Sequence, residues 1–196
     1  IRDIGVTGVQ TCALPIYIYV TNVGPNALLK NGGAGGQFSS VAAAAGVDDD
    51  RWGTSAAFMD IDNDGDLDLF VVNYLNWSEA VELKCMSGFG EPDYCHPNNY
   101  NSPATDVLFE NNGDGTFTDI TARAGVAEAF GNGLGVAPGD FNSDGLMDIY
   151  VANDMTANQL WMNQGDNTFK ESGLLAGCAV NGEGAAEAGM GVVAFD

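Results

Sequence analysis

The chain has very few basic residues. Only 6 of its 196 residues are Lys or Arg, against 27 Asp or Glu, so its formal net charge is −21. A protein that neutralises nucleic-acid phosphates or docks on anionic lipid needs a basic face, and both classes are therefore excluded. The sequence also lacks an apolar run near the roughly 20 residues of a membrane-spanning helix, so we expect no membrane insertion.

Apolar residues, in contrast, are not scarce. They make up 45% of the chain and aromatic residues 10%, which is too much for an acidic disordered tail. The 27 glycines lie well above the usual frequency of about 7%, so the chain turns often. We therefore expect a folded protein whose many carboxylates have a specific role.

The carboxylates are concentrated in a repeated motif. Residues 60–68 and 140–148 both read D-x-[DN]-x-D-G-x-x-D and lead into an apolar run, and a third copy begins at Asp196. Downstream of each motif, a leucine followed three residues later by an asparagine recurs before a glycine-rich turn and a phenylalanine. These asparagines are Asn31, Asn111 and Asn163. The chain is thus a repeat protein with a unit of about fifty residues.

Each unit reads as four short strands. Residues 67–72 and 147–152 are apolar and rich in β-branched side chains, and residues 54–59 precede the first motif as a further strand. Residues 107–121 contain an Asn-Gly-Asp-Gly turn between two strand-like segments, which indicates a hairpin. Four strands in about fifty residues predict an all-β fold built from the blades of a β-propeller.

The repeat also predicts how the chain is divided. The middle unit is longer than the next one, which indicates an insertion at about residues 74–105. We expect the end of one blade at 17–47, a blade with this insertion at 48–127, a further blade at 128–179 and the start of another at 180–196. The sequence is therefore predicted to be a fragment of a larger propeller.

The acidic motif is typical of a cation-binding loop. Oxygen atoms at its first, third, fifth and ninth positions, with the carbonyl of the seventh, can converge on one hard cation, and the glycine at the sixth permits the bend. An all-oxygen, carboxylate-rich set favours Ca²⁺ over Mg²⁺ or zinc. The predicted ligands are Asp60, Asp62, Asp64, Asp66 (carbonyl) and Asp68, then Asp140, Asn142, Asp144, Leu146 (carbonyl) and Asp148, with Asp196 as the first ligand of a third loop.

Two alternatives explain the acidic motif less well. An EF-hand loop needs a glutamate at position 12, but Val71 and Val151 stand there and the flanks read as strands, so an EF-hand is excluded. A solvated acidic turn that binds nothing would force several carboxylates together without a cation, and their repulsion argues against it.

The motifs together resemble the FG-GAP/VCBS repeat of integrin α-type β-propellers, and more closely its ASPIC/UnbV, or cartilage-acidic-protein-like, branch. The residues that carry the closer resemblance are Cys85…Tyr94-Cys95-His96-Pro97, Asn111-Asn-Gly-Asp-Gly-Thr-Phe117 and Gly189-Met-Gly191. The resemblance implies a seven-bladed propeller with calcium in the loop between the first two strands of a blade. It also implies a secreted or cell-surface protein, with the signal peptide outside this fragment.

The function that the resemblance implies is adhesion or binding of an extracellular protein or glycan, without catalysis. The alternative is that the propeller belongs to an extracellular carbohydrate-active enzyme whose catalytic residues lie elsewhere. An extracellular setting also favours a disulfide between Cys85 and Cys95. Free thiols, or a zinc site with His96 that would lack a fourth ligand, are the alternatives for these cysteines.

Residues 1–16 have no counterpart in the repeat. Residues 6–16 match the translation of a common short-read sequencing adapter and residues 1–3 that of its companion primer, so we predict an assembly artefact rather than a natural strand. The repeat places Tyr17 opposite Asp68 and Asp148, and Asp and Tyr codons differ in one first base. We therefore predict that codon 17 originally encoded a calcium-ligand Asp. Sequencing reads from independent libraries that run continuously across codon 17 would contradict this.

Overall fold

The computed structural model describes residues 17–33 and 36–194. Within these ranges the chain is all-β and propeller-like, which confirms the predicted fold class. The strands in chain order are β1 (Tyr17–Val20), β2 (Ala27–Asn31), β3 (Phe38–Ser40), β4 (Gly53–Met59), β5 (Asp68–Asn73), β6 (Cys85–Met86), β7 (Pro92–Asp93), β8 (Val107–Asn111), β9 (Phe117–Asp119), β10 (Gly133–Gly139), β11 (Asp148–Asn153), β12 (Gln159–Asn163) and β13 (Phe169–Glu171). The predictions for residues 1–16 and for Asp196 fall outside the described residues.

Helical structure in the described ranges is limited to single turns. These are α1 (Ala42–Ala45), α2 (Pro97–Tyr100) and α3 (Gly173–Ala176), with 3-10 turns at Glu79–Val81 and Val126–Glu128. α1 and α3 each follow the last strand of a sheet and end on a left-handed glycine, Gly46 or Gly177. None of the described helices combines the length and the apolar character that a bilayer crossing requires.

Three antiparallel sheets follow one another along the chain. We call them the N-terminal blade (β1-β2-β3), the middle blade (β4-β5-β8-β9) and the C-terminal blade (β10-β11-β12-β13). Each runs in sequence order, so every strand pairs with its neighbour in the chain apart from the insertion between β5 and β8. The equivalent strand pairs share one register, Ile18 opposite Leu29, Leu69 opposite Phe109 and Ile149 opposite Trp161. The sequence repeat is therefore also a repeat in three dimensions.

The hydrophobic core lies between the blades. Leu69 and Val71 of β5 pack toward the N-terminal blade, whereas Phe70 and Val72 pack toward the C-terminal blade, and all four are fully buried. Trp161 of β12, 1% exposed, belongs to the same buried cluster as Phe70 and Val72. Because β5 alternates between two cores, it is apolar at successive positions, as a strand buried on both faces must be.

The insertion forms a separate small unit on the surface. β6 and β7 pair as a short hairpin, and Cys85 is joined to Cys95 by a disulfide, so these sulfurs are not available to a zinc ion. The ends of the insertion meet where Leu75 bridges Pro103. Two of its aromatic side chains, Phe89 (96% exposed) and Tyr94 (99% exposed), face solvent, whereas Trp77 packs edge-on against Trp52. His96 serves as a helix cap, its Nδ1 accepting a hydrogen bond from the N–H of Asn98 at 3.2 Å.

Candidate metal centres

Two acidic loops occupy equivalent places in the blades. Residues 60–67 join β4 to β5, and residues 140–147 join β10 to β11. Both loops bend through two left-handed residues, at the fourth and sixth positions of the motif. These are Asn63 (φ 61°) and Gly65 (φ 90°) in the first loop, and Ser143 (φ 63°) and Gly145 (φ 87°) in the second. The sequence motif predicts the glycine but not the left-handed fourth residue.

The first aspartate of each loop is held by the glycine that makes the bend. The N–H of Gly65 donates to Asp60 Oδ2 at 3.1 Å, and the N–H of Gly145 donates to Asp140 Oδ2 at 2.8 Å. The bond from Gly145 and other loop N–H groups hold the pKa of Asp140 below its usual range. The glycine therefore both turns the backbone and orients the first carboxylate.

The fifth position of each loop is fixed in the same way. Asp64 Oδ1 accepts from the N–H of Asp66 at 2.8 Å, and Asp144 Oδ1 accepts from the N–H of Leu146 at 2.9 Å. The backbone of one loop thus repeats the other, although their side chains differ at the seventh position. This agrees with an assignment in which that residue would act only through its carbonyl.

The ninth aspartate links the loop to the sheet. Asp68 is 2% exposed, and its Oδ2 accepts from the N–H of Ile61 at 3.0 Å while its Oδ1 accepts from the N–H of Asn111 at 2.8 Å. The equivalent bonds in the C-terminal blade run to Asp148 from Phe141 at 3.0 Å and from Asn163 at 2.9 Å. The ninth residue therefore ties the start of its loop to the third strand of the blade.

Burial disfavours the ionised form of the Asp68 carboxylate. Removal from water raises the pKa of Asp68 to about 6, against the effect of its two backbone hydrogen bonds, and the charges of Asp62 and Asp64 add to the rise. Burial raises the pKa of Asp148 as well. A divalent cation beside either group would favour its ionised form and relieve the repulsion between the carboxylates.

In the first loop the carboxylates meet closely enough to share an ion. Oxygen atoms of Asp60, Asp62 and Asp68 all lie within 4.8 Å of one another. Asp60 Oδ1 is buried and has no hydrogen-bond partner among the described residues. Oxygen ligands at 2.3–2.6 Å from a Ca²⁺ ion are separated by up to roughly 5 Å, so the donor set fits a hard cation of that size.

The second loop has the same plan with one carboxylate fewer at its third position. Asn142 stands there, and its Oδ1 accepts from the N–H of Asp144 at 2.9 Å, as Asp62 Oδ1 accepts from the N–H of Asp64 at 3.3 Å. Among the described residues, a second trio of acidic oxygens as close as the first is not found. Asparagine oxygen is nevertheless an accepted calcium ligand, so the second loop keeps an oxygen donor at each motif position.

The asparagines that recur in the sequence repeat hold the ends of the acidic loops. Asn111 Nδ2 donates to the carbonyl of Leu67 at 2.9 Å, and Asn163 Nδ2 donates to the carbonyl of Met147 at 3.1 Å. Both asparagines also donate their N–H to the ninth aspartate. The two asparagines therefore fix the last residues of the acidic loops. Their recurrence at the same position of the repeat is the sequence pattern that indicates a shared structural role.

Tyr17 occupies the same register position as the ninth aspartates. It lies one residue before Ile18, which pairs with Leu29 as Leu69 pairs with Phe109. Its ring lies 5.6 Å from the Nζ atom of Lys30. The N-terminal blade thus carries no carboxylate at this position, and the origin of Tyr17 from an aspartate codon stays a prediction.

Comparison with known proteins gives the family. The profile of the FG-GAP-like repeat matches residues 16–71, 94–151 and 140–196, which together are most of the chain. Cartilage acidic protein 1 of Xenopus tropicalis is 42% identical over 69 residues, 35% of this chain and 10% of that protein. Cartilage acidic protein 1 of Homo sapiens is 51% identical over 55 residues, 28% of this chain and 8% of that protein.

The aligned part of the chain thus spans about a tenth or less of the length of these relatives. Both comparisons confirm the resemblance to FG-GAP repeats and to the cartilage-acidic-protein-like branch that the motifs indicated. The chain belongs to the FG-GAP-like repeat family.

Proposed function

We propose that this chain is a non-catalytic, calcium-binding part of an extracellular β-propeller that binds a protein or glycan ligand. The observation that carries the calcium proposal is the convergence of Asp60, Asp62 and Asp68, with their oxygens within 4.8 Å and Asp60 Oδ1 buried without a partner. Carboxylates brought this close to the buried Asp68 repel one another, a cation between them would offset that repulsion, and an all-oxygen set suits Ca²⁺ better than zinc.

The proposed ligand sets follow the motif positions. In the first loop they are Asp60, Asp62, Asp64, the carbonyl of Asp66, and Asp68; in the second they are Asp140, Asn142, Asp144, the carbonyl of Leu146, and Asp148. Asp196 is proposed as the first ligand of a third loop. When bound, Ca²⁺ would supply positive charge at the loop centre and would hold together the first two strands of each blade.

Three observations support an extracellular setting. The insertion contains a disulfide, a bond that persists in oxidising compartments. Loops of this type fill at calcium levels of about 10⁻⁴–10⁻³ M, which extracellular fluid provides. The relatives are named for cartilage, a tissue built largely of extracellular material. Within that setting, a propeller without a catalytic role serves by presenting surface to an extracellular protein or glycan.

The test of the calcium proposal is isothermal titration calorimetry of the 196-residue chain with Ca²⁺ and, separately, Mg²⁺. We expect two Ca²⁺ sites in the region of 10⁻⁴–10⁻³ M, or tighter, and weaker Mg²⁺ binding. Asp62→Ala should remove the first site and Asp144→Ala the second. Asp93→Ala is the matched control, since it removes one exposed carboxylate from the insertion, far from both motifs in the sequence.

Two results would overturn the proposal. One is an absence of calcium binding by the folded chain. The other is retention of both sites in the double variant Asp62→Ala with Asp144→Ala, which would show that any binding is a general effect of the acidic surface.

A further inference from the structure

One side chain of the C-terminal blade reaches the acidic loop of the middle blade. Asn167 lies in the turn between β12 and β13, and its Nδ2 donates to Glu110 Oε1 at 2.7 Å and to Asp62 Oδ2 at 3.3 Å. Glu110 and Asp62 both belong to the middle blade. Asn167 is therefore placed between two carboxylates of the neighbouring blade, one of them a proposed calcium ligand.

The backbone shows that this side chain is not incidental to the turn. Asn167 adopts a left-handed conformation, φ 61°, and the equivalent residue in the middle blade is Gly115, φ 91°. A glycine takes this conformation without steric cost, whereas a side chain at the same place adds strain, although asparagine tolerates it best. The C-terminal blade thus carries an amide where the turn itself needs only a glycine.

Neighbouring contacts hold the same part of the loop. Asn163 Nδ2, in addition to its bond within its own blade, donates to the carbonyl of Ile61 at 2.8 Å. Glu110 is in turn paired with Arg123, whose guanidinium lies 2.7 Å from Glu110 Oε2. One hairpin of the C-terminal blade therefore fixes two consecutive loop residues, Ile61 through its backbone and Asp62 through its carboxylate.

The consequence for Asp62 is a restricted rotamer. Its side chain is exposed and would otherwise move freely, but Oδ2 is held by Asn167 while Oδ1 accepts from the N–H of Asp64 inside the loop. A ligand whose rotamer is fixed before binding loses less conformational entropy when the ion arrives. The amide of Asn167 also reduces the repulsion between Asp62 and Glu110 without adding charge.

We propose that Asn167 is a positioning residue that couples calcium binding at residues 60–68 to the docking of the C-terminal blade against the middle blade. This inference rests on the proposed calcium function of the loop. Because coupling between two equilibria is reciprocal, calcium in this loop also strengthens the contact between the blades. The second acidic loop, whose third residue is Asn142, has no such contact among the residues that the structure describes.

The test uses Asn167→Gly, which places at this turn the residue found in the middle blade. It is made in an Asp144→Ala background, so that calorimetry reports the loop at residues 60–68 alone. We expect Ca²⁺ affinity to fall about three- to tenfold, the range for loss of one partly exposed hydrogen bond to a carboxylate. The matched control is Gly115→Asn, the reverse exchange in the middle blade, which should leave this affinity unchanged.

A second readout separates positioning from a general structural role. The increase in unfolding temperature on adding Ca²⁺ should be smaller in Asn167→Gly than in the parent, whereas a merely structural role would lower the unfolding temperature equally in Ca²⁺ and in EDTA. In an Asp64→Ala background, which leaves only the loop at residues 140–148, Asn167→Gly should not change the affinity.

The two proposals fail in different ways. If the parent chain binds no Ca²⁺, the proposed function is wrong. If it binds Ca²⁺ and Asn167→Gly leaves the affinity of the loop at residues 60–68 unchanged, or weakens both loops equally, the positioning role of Asn167 is wrong and calcium binding stands.

Discussion

Replacement of Asp106 by asparagine should stabilise the protein at neutral and alkaline pH. Asp106 precedes β8 and is only 6% exposed, and its Oδ1 accepts from the N–H of Asn73 at 2.9 Å. The equivalent residues of the other two blades are Asn26 and Asn158, which accept the same backbone bond at 2.8 Å in each case. Asn thus supplies the required oxygen without a buried charge.

The magnitude follows from the pKa of Asp106. Burial raises this pKa from 3.8 to about 7, against the hydrogen bond from Asn73 and the charge of Arg51, while Asp49 adds to the rise. A displacement of that size corresponds to about 4 kcal/mol of lost stability once the group is ionised. Asn26 Nδ2 is buried and lacks a hydrogen-bond partner among the described residues, so the amide carries a cost of its own. We therefore expect a gain of about 1–3 kcal/mol.

The sign and the pH window follow from linkage. The folded pKa lies above the unfolded one, so the folded state retains the proton between pH 4 and 7 while the unfolded state has lost it. Stability is therefore full below about pH 4, falls as the pH rises to about 7, and is constant above that. The variant Asp106→Asn lacks this decline, so its advantage appears only above about pH 4.

The assay is thermal or urea unfolding of both proteins from pH 4 to 9 at one fixed Ca²⁺ concentration. The difference between them cancels the titration of the acidic loops, and at pH 8 it should reach roughly 2–12 °C in unfolding temperature. Asn158→Asp is the matched comparison: it places a carboxylate at the equivalent position and should introduce a decline of the same sign but smaller size, because Asn158 is only half-buried. A difference between Asp106→Asn and the parent that is the same at pH 4 and pH 8 would refute the reasoning.

Three further predictions concern packing and the insertion. Gly133→Ala should destabilise the protein by about 1–3 kcal/mol in urea unfolding, because its Cβ would lie 2.3 Å from Val72 Cγ1, whereas Gly182→Ala, with nothing within 4 Å, should have little effect. Trp161→Ala should cost about 3–5 kcal/mol. Trp161→Phe should cost clearly less in the same assay, because Phe109 fills the equivalent register position and the buried Trp161 Nε1 has no partner among the described residues. Cys85→Ser with Cys95→Ser should speed proteolytic cleavage within residues 79–100, read by mass spectrometry, while the unfolding temperature of the blades changes little; Cys178→Ser, at a free thiol, is the control. Comparable costs for the paired glycine or tryptophan variants, or an unchanged cleavage rate, would contradict these expectations.

The strands were predictable because their periodicity is local and is repeated along the chain. The apolar run at residues 67–72 predicts β5 to within one residue. The observed strand begins at the ninth aspartate of the motif, Asp68. β8 and β9 followed from the turn between them. The insertion was less predictable, because it has no second copy in the chain for comparison and little core of its own. Its β6–β7 hairpin and α2 became visible only in the structure.

The candidate metal centres were also predictable only in part. The motif gives the order of the oxygen donors, and the structure adds what holds them in place. The left-handed conformation at the fourth position is favoured by the residue type at Asn63 but not at Ser143. The bond from Asn167 to Asp62 joins residues 105 positions apart. A contact of that kind depends on how two blades pack, so a pattern within one repeat cannot indicate it.

The closed base of the insertion has a consequence for evolution and for engineering. The bridge between Leu75 and Pro103 and the bond from the N–H of Asn76 to the carbonyl of Ser102, 2.9 Å, bring the two ends together before the chain leaves the blade. Sequence added beyond this point does not separate β5 from β8, so the loop can lengthen or be exchanged without altering strand registration. The same geometry makes residues 77–101 the place to graft a fluorescent tag or an epitope.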